Sequence, residues 1–232
     1  MWILAGILLL IVVLAVGGYL LGTRRSQRRE RELTARLTER NEELQAARAE
    51  LARLTSLDGL TRLASSDYFQ QFLEREWRRA LRELTPLSLM LLDLDHFKAY
   101  NEQLGPQAGD DCLKRVATVL RDAVGRPGDL VARHGGEEFI VALARTDAVG
   151  VQALATKLRT AIEDLQLEHP ASPVAGHVTV SIGVTTAVPS RSVTWQEIEL
   201  VAAAGRALAD AKRLGRNRIE RAEFATDKAA EP

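Results

Sequence analysis

Only one cysteine, Cys112, occurs in the 232 residues, so no disulfide can close within the chain. It falls in an expected helix and reads as a small buried or half-buried residue, not a nucleophile. Neither sign of charge is in excess: 31 basic residues balance 31 acidic ones and the formal net charge is +0. That balance removes any overall pull toward nucleic acid, and no nucleic-acid partner is expected. His134, His169 and His177 show no metal-ligand spacing, so no zinc site is expected. Glycine and proline are absent from 26–56, and no basic residue precedes the apolar run at the N-terminus. The length suits one domain with extra segments, and 46% hydrophobic residues suffice for a core.

The run at 2–21 is almost wholly apolar. About 20 residues at ~1.5 Å rise match a ~30 Å hydrocarbon core, which predicts a transmembrane helix over 1–22. A cleaved signal peptide is the rival, disfavoured by the missing basic flank and by the length of the run. Arg24, Arg25, Arg28, Arg29 and Arg31 follow, which places the C-terminal bulk in the cytoplasm. Gly18 and Gly22 form a small-xxx-small pair suited to helix pairing. No sensory domain is expected before the span, since few residues precede it.

Over 23–56 the sequence is charged and periodic. Leu37, Leu44 and Leu51 fall seven apart, with Leu33, Ala47 and Leu54 at companion positions and Arg40 as the one break. A short parallel coiled coil is expected, because a lone helix this polar has nothing else to bury its stripe against. Homodimerisation through the coil and the membrane helix follows. The rival is a lone solvated helix.

Two stretches carry chemistry. Leu130-Val131-Ala132 and Phe139-Ile140-Val141 flank Arg133-His134-Gly135-Gly136-Glu137-Glu138. Apolar runs joined by Gly-Gly predict a tight hairpin, with φ > 0 open to both glycines and bare N–H groups that a phosphate can approach. A solvated turn would need no pair of acids. The second stretch, Leu89-Met90-Leu91-Leu92-Asp93-Leu94-Asp95, is an apolar run ending in carboxylates. It predicts a strand over 86–95, buried on both faces. Strand-end acids beside a Gly-Gly turn suit a Mg²⁺-triphosphate site, in which hard oxygens hold metal and backbone donors hold phosphate.

With these motifs in this order, residues 58–219 resemble the GGDEF family, the diguanylate cyclases that make cyclic di-GMP from GTP. The GGEEF variant stands at 135–139. Asp58, Leu60, Thr61 and Leu63 match the family's linker motif, with Arg62 in place of its glycine. The resemblance implies an α/β, nucleotidyl-cyclase-like domain over 57–222, with a central sheet of about five strands flanked by helices, and a disordered tail over 223–232. It implies Mg²⁺ or Mn²⁺ held by Asp93, the Leu94 carbonyl and Glu137. Glu138 is a second metal ligand or a structural acid, and Glu137 is also the candidate base. It implies GTP contacts from Phe97, Lys98, Asn101, Asp110, Gly135, Gly136, Lys212 and Arg216. Asp110 accepts from guanine donors that adenine lacks, and Asn101 serves the remaining edge. Lys212 and Arg216, four apart in Ala211-Lys212-Arg213-Leu214-Gly215-Arg216-Asn217, would clamp phosphates. Asp95 is left as a helix cap.

Arg126-Pro127-Gly128-Asp129 demands a turn, yet its charged flanks match the family's R-x-x-D site, which binds cyclic di-GMP as inhibitor. Lys157 or Arg159 would complete it. The expected activity is condensation of two GTP into cyclic di-GMP and two pyrophosphates, at a site placed at the sheet edge. The rival is an idle domain acting as a cyclic di-GMP receptor or dimerisation module. The implied location is a bacterial inner membrane, spanned once, with the catalytic domain cytoplasmic. The family's residues are replaced at Glu102, Pro106, Gly205 and Ala209.

Overall fold

A computed structural model describes residues 36, 40, 56–190 and 196–224. The chain divides into two compact units, Met1–Ala52 and Arg53–Pro232. Of the first, only Arg36 and Arg40 are described, both helical. The expected membrane span and coiled coil, and the tail beyond 224, therefore lie outside the described residues. Among the described residues, no helix is long and apolar enough to cross a membrane.

The second unit begins with α1 (Ser66–Glu83), whose N-cap Ser65 accepts from the Tyr68 N–H. The buried stripe is Phe69, Leu73, Trp77 and Ala80, while Tyr68 and Phe72 are only partly buried. Next come β1 (Leu87–Leu94), α2 (Phe97–Leu104), α3 (Pro106–Ala123), β2 (Asp129–Gly135) and β3 (Glu138–Ala144). Then follow α4 (Ala148–Glu163), β4 (Val180–Ala187), α5 (Glu197–Arg213) and β5 (Ile219–Glu223).

The five strands form one sheet in the order β2-β3-β1-β4-β5. All pairs are antiparallel except β4 with β5, which are parallel. The continuous apolar run of β1 is explained by its place: it is the middle strand, and all eight residues are buried. Met90, Leu92 and Leu94 join the core under α2, α3 and α4, together with Val116, Leu120, Leu158 and Ile162. Leu89 and Leu91 alternate to the other face, under α1 and α5, with Phe69, Trp77, Leu200 and Leu208.

One expectation about the sheet changes. The acids of β1 stand at the end of the central strand, not at a sheet edge, because β3 and β4 flank β1 on both sides. The β4 strand begins at Val180 and is buried along almost its whole length, because helices cover both faces.

Candidate functional site

Side-chain alternation puts Asp93 on the same face as Leu89 and Leu91, the face covered by α5. Its register partners are Glu138 on β3 and Ser181 on β4. Lys212, in the last turn of α5, reaches Asp93 Oδ2 at 2.7 Å. Burial pushes the Asp93 carboxyl up, Lys212 pulls it down, and Glu137 and Glu138 push it up again, leaving it at about 6. Asp93 thus stands opposite Glu138 and within the field of Glu137, with the Lys212 ammonium as its neighbouring counter-charge. Leu94 adjoins them through its own N–H, which meets the Glu137 carbonyl at 3.5 Å.

The hairpin turn falls on Gly136 and Glu137 rather than on both glycines. Gly136 has φ of 50°, whereas Gly135 ends β2 and pairs with Glu138 after an irregularity in the register. The Gly136 carbonyl accepts from Arg133 Nε at 3.0 Å and Nη2 at 2.8 Å. Arg133 Nη1 also reaches Asp58 Oδ1 at 3.4 Å, and Asp58 Oδ1 accepts from the N–H and hydroxyl of Thr61. Burial pushes the Asp58 carboxyl up, but bonds from Thr61 and the Arg133 guanidinium outweigh it and hold it below the usual range. The linker motif is therefore bolted to the acidic hairpin. Sequence reasoning assigned Arg133 nothing; its place two residues before Gly-Gly was the available signal.

A second group gathers on α2 and α3. Phe97 is buried and stacks on Tyr100 at 5.8 Å, so its side chain belongs to the core and its backbone is what the α2 N-terminus presents. Lys98 is exposed and reaches Glu102 at 3.8 Å. Asn101 packs against Gly109, and its Oδ1 is buried without a hydrogen-bond partner. Asp110 lies exposed in α3, next to Gly109. A buried acceptor left empty beside a carboxylate suits a ligand rich in N–H donors. Arg216 follows α5 and donates from Nη1 to the Lys212 carbonyl at 3.4 Å.

Asp95 is not a cap. The N-cap of α2 is His96, with no side-chain capping bond. Asp95 accepts instead from Thr179 Oγ1 at 2.8 Å, Ser181 Oγ at 2.6 Å and the Asn217 N–H at 3.0 Å.

Arg126 and Asp129 stand at the far end of β2. With Lys157 they line a pocket of about 360 Å³ between β2 and α4. Asp129 Oδ1 accepts from the Ala144 N–H at 3.1 Å. Burial pushes the Asp129 carboxyl up, against that bond and the Arg126 charge. Lys157 is the basic residue beside the pair, since Arg159 is engaged with Glu163 and Asn217. Cys112 is buried, and burial pushes its thiol to about 12, so it is no nucleophile.

The family profile "Diguanylate cyclase, GGDEF domain" matches residues 55–218. The chain is 36% identical over 162 residues to the probable diguanylate cyclase DgcT of Escherichia coli, covering 70% of this chain and 34% of that protein. It is 32% identical over 175 residues to diguanylate cyclase A of Treponema denticola, covering 74% and 45%. The chain thus spans less than half of these relatives' length. Among solved structures, the coiled coil and GGDEF domain of DgcB from Caulobacter crescentus, in complex with c-di-GMP, superposes with a TM-score of 0.66 at 31% identity, covering 82% of this chain and 99% of that one. The active GGEEF domain of a diguanylate cyclase from Vibrio cholerae gives a TM-score of 0.55 at 29% identity, covering 66% and 93%.

Proposed function

The chain belongs to the GGDEF family of diguanylate cyclase domains, and on that premise we propose that it condenses two GTP molecules into cyclic di-GMP with release of two pyrophosphates. The observation that carries this reading is the convergence of Asp93, Glu138 and Lys212 at the end of the central strand, beside the Gly136-Glu137 turn.

The residues fit a divalent cation that arrives with its substrate. Among the described residues, no three His, Cys, Asp or Glu side chains form a cage able to hold a metal alone. Mg²⁺ needs none, since it takes one or two carboxylates, waters and substrate phosphate oxygens. Burial first, and the charges of Glu137 and Glu138 after it, raise the Asp93 carboxyl despite Lys212, so a cation bound there would favour its ionised form. Asp93, the Leu94 carbonyl, Glu137 and Glu138 would hold Mg²⁺ or Mn²⁺, which supplies charge neutralisation at the α-phosphate.

The chain's own groups do the rest. Backbone N–H groups at Gly135 and Gly136 approach phosphate, and Lys212 and Arg216 clamp it from α5. Asn101 and Asp110 take the guanine edge, with Lys98 and the Phe97 backbone at the start of α2. A bond forms between the 3′-oxygen of one GTP and the α-phosphorus of the other while the bond to pyrophosphate breaks, and the same step repeats with the roles exchanged, closing the ring and releasing the second pyrophosphate. Glu137 is the acceptor assigned to the hydroxyl proton. Metal ligation draws on the same lone pairs, and Glu137→Gln removes both.

Each domain offers one nucleotide site, so two must meet. The leucines at 33–54 supply a dimeriser that raises the effective concentration of the second domain. The apolar run at 2–21 supplies a single-pass anchor in a bacterial inner membrane, with the domain cytoplasmic. The pocket at Arg126, Asp129 and Lys157 supports product inhibition. The test is incubation with GTP and Mg²⁺, with cyclic di-GMP read by chromatography. Glu137→Gln, folded by circular dichroism, should show no product above background. Cyclic di-GMP formation by that variant at the wild-type rate would overturn the assignment.

A further inference from the structure

The turn that carries Arg216 has a backbone that most side chains avoid. Gly215, Arg216 and Asn217 have φ of 115°, 62° and 46°. Two successive non-glycine residues in the left-handed region are uncommon, Arg216 more so than Asn217, and such a conformation persists where the surroundings over-determine it.

The constraints come from three elements. The Arg216 N–H donates to the Ala211 carbonyl at 3.0 Å, back onto α5. The Asn217 side chain is held at both ends by α4: Nδ2 donates to Glu163 Oε1 at 3.2 Å, and Oδ1 accepts from Arg159 Nη1 at 3.1 Å. The Asn217 backbone N–H donates to Asp95 Oδ2 at 3.0 Å. Asp95 is 2% exposed, and both its oxygens are fixed by the hydroxyls of Thr179 and Ser181, from the chain leading into and along β4.

A buried carboxylate is a costly way to join β1 to β4, since neutral groups would serve two hydroxyls. Its third donor lies 122 residues away, on the turn between Lys212 and β5. We propose that Asp95, through the backbone amide of Asn217, is a positioning residue that aims Arg216 at nucleotide phosphate. Two positions apart on one strand end, Asp93 takes the metal side of the triphosphate site and Asp95 sets the opposing clamp. The inference rests on the reading of Arg216 as a phosphate ligand.

The test is a double-mutant cycle in the full 232-residue protein. The probe is an α,β-methylene GTP analogue with MgCl₂, whose Kd is read by calorimetry. Asp95→Ser keeps a hydroxyl for Thr179 and Ser181 but is too short for the Asn217 amide. It should weaken binding about tenfold, approaching Arg216→Ala, and the double variant should bind no more weakly than Arg216→Ala alone. Asp95→Asn keeps an acceptor for that amide and should restore Kd to within about twofold of wild type. Ser181→Ala leaves the Asn217 bond intact, so it should lower the melting temperature without changing Kd.

Asn217→Gly tolerates the backbone but frees the turn from α4. It should weaken binding in the same Arg216-dependent way, and it covers the case in which Asp95→Ser does not fold. Unchanged Kd in Asp95→Ser, or a loss that persists in full without Arg216, would overturn the proposal. Wild-type affinity in Arg216→Ala would instead refute the phosphate-clamp reading, and it would do so with Asp95 intact.

Discussion

The ammonium of Lys212 stands 2.7 Å from Asp93 Oδ2 and ties the last turn of α5 to the end of the central strand. Asp93 is 8% exposed at its side chain and Lys212 34%, so the pair sits at the mouth of the site with the acid inside. A bound triphosphate brings negative charge to the same ammonium. Lys212→Gln removes one charge-assisted contact, and a loss of about 1.5–3 kcal/mol is expected. That corresponds to a ten- to hundredfold fall in kcat/KM for GTP. Steady-state pyrophosphate release measures it, and a change below twofold would take Lys212 out of the phosphate site.

Gly109 faces Asn101 so closely that an added Cβ would lie 1.8 Å from Asn101 Oδ1. The obstructing atom is the end of a flexible side chain, so Gly109→Ala should cost little stability while displacing the amide. The expected result is a melting temperature near wild type and a KM for GTP raised about tenfold, as a misplaced donor–acceptor group predicts. An unchanged KM would detach Asn101 from guanine recognition.

The core of the fold was legible because local pattern and burial agree in it. The apolar run before Asp93 is a fully buried strand, and Gly-Gly between apolar runs is a hairpin. What escaped was decided at long range. Asp95 looked like a cap because its partners, Thr179, Ser181 and Asn217, lie 84 to 122 residues away. Strand order is not written in any one segment, so the sheet-edge placement expected of the site gives way to the end of the central strand. The β5 strand, Ile-Glu-Arg-Ala-Glu, has one large apolar residue and lies at the margin of the sheet, where charge is tolerated. Of the site residues, those in motifs were nameable, whereas Asp58 and Arg133 acquire their joint role only through a contact 75 residues apart.

That contact has a pH signature. The Asp58 carboxyl is held below its ordinary value of 3.8 by Thr61 and Arg133, despite burial. An acid with a depressed folded-state pKa adds stability above its unfolded value and loses it as pH falls through the folded value. Wild type should therefore melt several degrees above Asp58→Asn between pH 5 and 7, and the gap should close below 3.8. Melting curves of both proteins across that range measure it. A gap that stays constant down to acid unfolding would remove the charge from the explanation.

The pocket at Arg126, Asp129 and Lys157 lies at the opposite end of β2 from the hairpin. The seven residues of the strand separate the two by roughly 20 Å at about 3.3 Å per residue. A product molecule bound there cannot also fill the GTP site. The proposed inhibition from this pocket would act at a distance, and cross-linking of domains, so that two GTP sites no longer face each other, is the route we propose. Chemistry and inhibition are then separable. Arg126→Ala removes a guanidinium fork for phosphate or guanine and leaves Asp129 tied to the Ala144 amide, so the local fold should persist. The initial rate should stay within about twofold of wild type, because no group near Asp93 changes. As product accumulates, wild type should slow and Arg126→Ala should not. Pyrophosphatase in both reactions keeps pyrophosphate from acting as the inhibitor. Lys157→Ala should behave in the same direction, since Lys157 lines the same pocket. Identical curvature in all three progress curves, with no cyclic di-GMP bound by wild type in equilibrium dialysis, would reduce Arg126 and Asp129 to the flanks of a turn.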